Sequence, residues 1–358
     1  MAAVRQNNYH EEQNRQNILK MRAVLETLPS FCKTYFRGIE EYTSSRTRLA
    51  YAYDLRLFFE YLQEHNPVCA KPEMKDIPLE VLDRLTRIDI EEYLEYMSLY
   101  EKEGREITND ERGKERKLAA LRSLYNYFYQ SELLKNNPAS LVPMPKKHEK
   151  EIIRLEPNEV AILLDQVEDG TKLTKKELEY HKKTRVRDVA LLTLLLGTGI
   201  RVSECVGLDI QDVNFDVGGI KIRRKGGYEA VIYFGEEVET ALLDYMEERN
   251  HIIPMEGHEN ALFLSLQSRR MAVRSVENLV KKYASRVTTL KKITPHKLRS
   301  TYGTALYRET NDIYLVADVL GHKDVNTTRK HYAAQADERR RSAANAVRLR
   351  ENPPQARD

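Results

Sequence analysis

The chain has 358 residues, 32% of them charged, with a formal net charge of only +3 at pH 7. That length exceeds one small core and fits two domains with extensions, and no apolar run is long enough for a membrane span. The polar start Met1–Asn14 lacks the apolar segment of a secretory signal, and Cys32, Cys69 and Cys205 match no disulfide or metal-ligand spacing, so a cytoplasmic protein in a reducing compartment, with no structural metal and no membrane partner, is expected.

Residues 1–46 read as a polar, helix-prone N-terminal extension, in which Leu19, Met21, Val24, Leu25 and Leu28 form a partial apolar stripe that Pro29 interrupts. From Thr47 the pattern sharpens: Leu49, Tyr53, Leu55, Phe58, Phe59 and Leu62 recur at helical spacing up to Pro67. Ile88–Met97 forms another helix, with Asp89, Glu91 and Glu92 early in it, where the helix dipole favours anions. Thr108–Tyr129 is the longest helix of this half, with Leu118, Leu121, Leu124, Tyr125 and Phe128 on its apolar face and a charged start. Asn137-Pro138-Ala139 closes the bundle, which makes 47–145 an all-helical domain of four or five helices. Pro143 and Pro145, followed by Lys146, Lys147, His148 and Lys150, mark an exposed basic linker over 146–155.

The second domain occupies 156–358. Pro157-Asn158-Glu159 opens a helix, Thr171–Arg187 reads as a charged surface helix inserted before the core, and Val189–Leu196 is apolar enough to be core. Ile220–Ile222 and Glu229–Phe234 flank Gly226-Gly227, the pattern of a β-hairpin with a tight turn. Helices follow at Glu237–Arg249, Val273–Thr289, Lys297–Glu309 and Ile313–Leu320, then a short one at Asp324–Lys330 and a last one at Asp337–Leu349. Basic clusters at Arg112–Lys117, Lys146–Lys150, Arg223–Lys225 and Arg339–Arg341 keep nucleic acid open as a partner despite the near-neutral total, although each alone is also an ordinary solvated face.

Several short runs carry chemistry. In Thr294-Pro295-His296-Lys297-Leu298-Arg299, threonine and proline suit a helix start, and His296 and Arg299 share one face of its first turn, where a helix already favours anions. In Gly197-Thr198-Gly199-Ile200-Arg201-Val202-Ser203-Glu204 an apolar helix stops at glycines and Arg201 follows at once, with Glu204 near enough to hold it by a salt bridge. No Gly-Lys-Ser/Thr ending follows, so these glycines are not a nucleotide loop. Lys225 stands at the hairpin tip, and Leu320-Gly321-His322 precedes Tyr332. Taken singly, each run also fits an ordinary surface or a structural ion pair, and one tyrosine among 21 means nothing by itself.

In order, these runs resemble the tyrosine recombinase (phage integrase) family: Thr-Gly-Ile-Arg-Val-Ser-Glu at 198–204, Lys225 before a glycine turn, Pro-His-Lys-Leu-Arg at 295–299, Leu-Gly-His at 320–322 and Thr-Thr-Arg-Lys-His-Tyr at 327–332. The resemblance spans residues 47–350 and is strongest to the Xer recombinases. The Arg-Lys-Gly-Gly hairpin and the insertion before Arg187-Asp188 are similar to the single-recombinase Xer subgroup of Gram-positive bacteria. One departure is Ser300, where many relatives carry a second histidine.

The fold implied by the resemblance is mainly α: a helical N-terminal core-binding (SAM-like) domain plus a mixed α catalytic domain with a small β-sheet. The activity implied is site-specific recombination of double-stranded DNA at paired half-sites, by a homotetramer linked through the C-terminal helix, whose apolar set includes Ala343, Ala346, Val347 and Leu349. Tyr332 is then the nucleophile, Arg201, Arg299 and His322 bind the phosphate oxygens, His296 is the candidate base, and Lys225 protonates the departing 5′ oxygen, with no cofactor, ATP or metal required. The helix at Asn109–Arg122 is the candidate for the major groove, through Arg112, Lys114, Arg116 and Lys117. Two other readings stay open here: a non-catalytic DNA-binding accessory protein of the same fold, and a type IB topoisomerase. Within recombination, resolution of chromosome dimers and movement of a mobile element both fit.

Overall fold

Helix starts follow from local hydrogen-bonding chemistry. Ser44, Thr86, Asp110, Asn137, Thr174 and Asp312 each offer a side-chain oxygen to an amide of the helix they precede, satisfying first-turn donors that have no partner inside the helix. The computed structural model describes residues 9–70, 72–146, 152–224, 227–322 and 324–325. The chain divides into two compact units, Met1–Lys150 and Glu151–Asp358.

The first unit contains α1 (Tyr9–Leu25), α2 (Phe31–Gly38), α3 (Ser45–His65), α4 (Glu80–Arg84), α5 (Arg87–Tyr96), α6 (Glu111–Gln130) and α7 (Pro138–Leu141). Its core joins Phe58, Phe59, Tyr93, Leu121 and Phe128 with Leu28, Tyr35, Phe36 and Ile39. Thus α1 and α2, from the polar N-terminal stretch, bury their apolar stripes in the same core as the later helices, and α1 lies along α3. The expectation of an all-helical 47–145 needs one correction. An antiparallel hairpin, β1 (Leu99–Lys102) and β2 (Arg105–Thr108), stands between α5 and α6. Its turn is Glu103-Gly104, both in the left-handed region (φ 53° and 71°), as a tight hairpin turn requires. Strand residues Glu101, Lys102, Arg105 and Glu106 give no apolar alternation, so sequence pattern misses it.

The second unit is arranged around α9 (Lys175–Thr198), which packs against α8 (Pro157–Asp169), α11 (Glu236–Asn250) and α13 (Pro295–Thr310). The charged stretch expected to form a separate surface helix is instead the first half of α9, continuous with the apolar core run. His181, Thr184, Arg187 and Asp188 are buried within it. Burial of these polar groups is made tolerable by mutual bonding. The Asp188 carboxylate accepts from Arg187 (2.6 Å), Thr184 (2.9 Å) and Tyr283 (3.2 Å), and Arg187 also donates to the Leu264 carbonyl at 2.9 Å. The sheet has order β3-β4-β5, all antiparallel: β3 (Val213–Asn214), β4 (Gly219–Arg223) and β5 (Glu229–Tyr233). The remaining α-helices among the described residues are α10 (Val202–Gly207), α12 (Val273–Val287) and α14 (Ile313–Leu320). The fold is therefore mainly helical with small antiparallel sheets, and no helix among the described residues is long and apolar enough to cross a membrane.

Candidate active site

The C-terminal turn of α14 organises the site. A helix ends with carbonyls that lack intrahelical donors and with the negative end of its dipole, so it attracts cations. Gly321 terminates α14 in the left-handed conformation (φ 61°), leaving the last carbonyls facing outward. Arg299, five residues into the helix that begins at Pro295, places Nη1 on the Gly199 carbonyl (2.6 Å) and Nη2 on the Leu320 carbonyl. Arg201 places Nη2 on the next carbonyl, Gly321, at 3.2 Å. Two arginines far apart in sequence are thereby fixed side by side, immediately before His322, whose amide donates to the Ala317 carbonyl at 2.9 Å.

Each arginine is oriented by its own element. At the end of α9, Gly199 adopts φ 63°, and a Cβ there would lie 2.3 Å from Cδ1 of Tyr302, so backbone angle and close packing both call for glycine. The chain turns at once into Arg201. Glu204, almost fully buried, accepts from the Arg201 backbone amide (2.7 Å) and from its Nη1 (2.8 Å), which confirms the salt bridge expected from the spacing. Arg299 is only 5% exposed, whereas His296, one turn earlier on α13, is exposed. Thr294 occupies the N-cap position with Pro295 after it, but its side chain makes no capping bond. Ser300 donates to the His296 carbonyl at 3.1 Å, so at the position of the departure the hydroxyl is turned back onto its own helix.

A residue missed from sequence completes the arrangement. Arg224, just beyond β4, reaches the Asp318 and Val319 carbonyls at the same helix end. Only its position next to Lys225 offers a hint, and that reads as part of a basic turn. Lys225, Tyr332, the short helix expected at 324–330 beyond Val325, and the last helix expected at 337–349 lie outside the described residues. Among the described residues no group of three His, Cys, Asp or Glu side chains is placed to hold a metal ion.

In the first unit, the start of α6 carries the basic residues singled out for DNA. Arg112 is exposed, and Lys114 donates to Ser98 Oγ. Arg116 is about half exposed and places Nη1 on the buried Asp54 carboxylate of α3. Lys117 departs from the expectation: it is 5% exposed and its ammonium donates to Asn109 Oδ1 at 2.8 Å. It falls on the inward side of α6, next to Leu118, so it braces the helix start from within. Burial holds the Asp54 carboxyl up at about 6, against the downward pull of Arg116 and Lys117, and burial lowers the Lys117 amine.

The phage integrase family matches residues 154–339. The chain is similar to tyrosine recombinase XerC of Caldanaerobacter subterraneus subsp. tengcongensis, with 32% identity over 322 residues, 87% of this chain and 84% of the relative. It is also similar to tyrosine recombinase XerS of Lactococcus lactis subsp. cremoris, with 29% identity over 352 residues, 88% of this chain and 94% of the relative. Among solved structures, XerH site-specific recombinase bound to palindromic difH substrate in a post-cleavage complex has the same fold: TM-score 0.63 and 20% identity, covering 85% of this chain and 80% of that one.

Proposed function

The chain belongs to the phage integrase family as a tyrosine recombinase of Xer type, and from that premise we propose that it cuts and rejoins double-stranded DNA at specific sites through a 3′-phosphotyrosine on Tyr332. The observation that carries this reading is the anchorage of Arg299 and Arg201 on the consecutive carbonyls of Leu320 and Gly321, directly before His322. That arrangement collects permanent positive charge where a phosphodiester, otherwise very slow to react, needs neutralisation.

In the reaction, the Tyr332 oxygen bonds to phosphorus while the bond from phosphorus to the 5′ oxygen breaks. His296 takes the tyrosine proton, and the Lys225 ammonium gives a proton to the departing oxygen. Arg201, Arg299 and His322 hold the non-bridging oxygens, and Glu204 keeps Arg201 in register. The phosphotyrosine conserves the phosphodiester energy, so a 5′ hydroxyl from a second duplex reverses the step without ATP. Arg112, Lys114 and Arg116 at the start of α6 approach the major groove. Four protomers on paired half-sites, joined through the C-terminal segment, complete the assembly. The likeness to XerC and XerS favours resolution of chromosome dimers in the cytoplasm.

Covalent trapping on a library of nicked duplexes tests the reading. Wild-type protein should yield an adduct whose proteolytic peptide carries DNA on Tyr332. Tyr332→Phe should retain the gel shift and lose the adduct. An adduct formed by Tyr332→Phe would refute the nucleophile, and relaxation of supercoiled DNA without exchange between two trapped sites would favour a topoisomerase.

A further inference from the structure

One side chain at the site has no part in the reaction just described, yet it ties two of its elements together. Arg224 donates from Nη1 to the Asp318 carbonyl (2.9 Å) and from Nη2 to the Val319 carbonyl (2.8 Å). With Arg299 on Leu320 and Arg201 on Gly321, four successive carbonyls at the end of α14 each receive an arginine N–H. The fit of the first of these guanidinium groups is close. A Cβ on Gly321 would fall 2.1 Å from Arg224 Nη1 and 2.6 Å from its Cζ. Its Nε is buried with no hydrogen-bond partner among the described residues. A surface arginine would avoid that desolvation by turning into water, so the two carbonyl bonds and the helix dipole hold it in place. The Arg224 amide also donates to the Tyr228 carbonyl at 2.7 Å, and the Gly227 amide donates to the Arg224 carbonyl at 3.0 Å. Residue 224 is therefore fixed through both its backbone and its side chain, to the hairpin on one side and to the end of α14, whose carbonyls the other arginines also engage, on the other.

We propose that Arg224 is a positioning residue for leaving-group protonation: its two-point seat on α14 fixes the chain where Lys225 follows, and so sets the anchor from which the Lys225 ammonium works. This rests on the assignment of Lys225 as general acid above. In that step the electron pair of the breaking bond goes to the 5′ oxygen, which takes a proton from Lys225 and leaves a neutral amine.

Sulfur in place of the bridging 5′ oxygen gives a thiolate, which departs without needing that proton. Single-turnover adduct formation by the full chain is therefore measured on the trapped site with oxygen or with sulfur at the scissile position. Arg224→Gln should slow the oxygen substrate by about 10²-fold, the scale of a misplaced catalytic group, and leave the sulfur substrate near the wild-type rate with the gel shift unchanged. Arg224→Lys keeps a charge at the helix end but cannot reach two carbonyls at once, and should show a smaller defect with the same rescue. Lys225→Ala should lose about 10²- to 10⁴-fold on oxygen and be rescued by sulfur. If Lys225→Ala is rescued but Arg224→Gln is slowed equally on both substrates, or on neither, the inference about Arg224 is wrong and the reading of Lys225 stands. If sulfur does not rescue Lys225→Ala, the general-acid assignment fails and takes the inference with it.

Discussion

Arg299 shows why the identity of a single cation matters at this site. A guanidinium that is 5% exposed must have its charge answered by the protein, and two forked nitrogens do this by reaching Gly199 and Leu320, carbonyls on different elements. Lysine presents one compact ammonium and no fork. Arg299→Lys should therefore bind DNA with near wild-type affinity yet cleave at least about 10²-fold more slowly, the scale of losing one oriented donor to developing charge. Single-turnover trapping beside a binding isotherm checks it, and a lysine variant with the wild-type cleavage rate would remove Arg299 from the chemistry. Arg299, Arg201 and Glu204 were legible in the sequence because they sit in short local runs, three residues apart on a helical turn or two residues past a glycine stop, whose order along the chain matches a family. Arg224 was not legible. Its partners are backbone carbonyls 94 and 95 residues away, and a carbonyl leaves no trace in the residue type that carries it.

At the scale of elements, the pairing of α3 with α6 carries a titratable charge. Asp54 is buried on α3, Arg116 reaches it from α6, and burial lifts the carboxyl to about 6. Its folded value therefore lies above that of the unfolded chain, about 4, and between those values the native state binds more protons. Stability then falls as pH rises through that window. A variant with Asn at 54 lacks this dependence. The stability of the wild type relative to Asp54→Asn should decline by up to about 3 kcal/mol between pH 4 and pH 7, at about 1.4 kcal/mol per pKa unit. Urea denaturation at both pH values reads it, and a constant difference would mean that Asp54 titrates normally. The helices in this pair were visible in the sequence because Leu55, Phe58, Phe59 and Leu62, and again Leu118, Leu121, Leu124 and Tyr125, repeat at the helical period and are all buried. The hairpin at 99–108 was invisible because it is charged on both strands and is held by backbone pairing. The single span of α9 was hidden for a related reason. Its middle buries Thr184, Arg187 and Asp188 through hydrogen bonds, and a buried polar network looks like surface when only composition is read.

For the whole molecule, a net charge of +3 says little about affinity for a polyanion, because the exposure of individual cations decides which of them a polyanion can meet. Arg112 is exposed at the start of that helix, while Lys117, five residues on, has its ammonium on Asn109 and its stem in the core. Each phosphate neutralised by a side chain releases counterions and steepens the fall of binding with salt. Removing a cation that meets a phosphate therefore flattens the plot of log affinity against log salt by about one unit. Removing one that is committed inside the fold changes stability and leaves the slope alone. Arg112→Ala should lower the slope by about 1 across the trapped site and unrelated duplexes alike, while Lys117→Ala should lower the urea midpoint and preserve the slope. Equal slopes for Arg112→Ala and wild type would place the start of α6 away from the DNA. A flattened slope for Lys117→Ala would mean that its ammonium leaves Asn109 when DNA binds, so that the buried position belongs to the free protein alone.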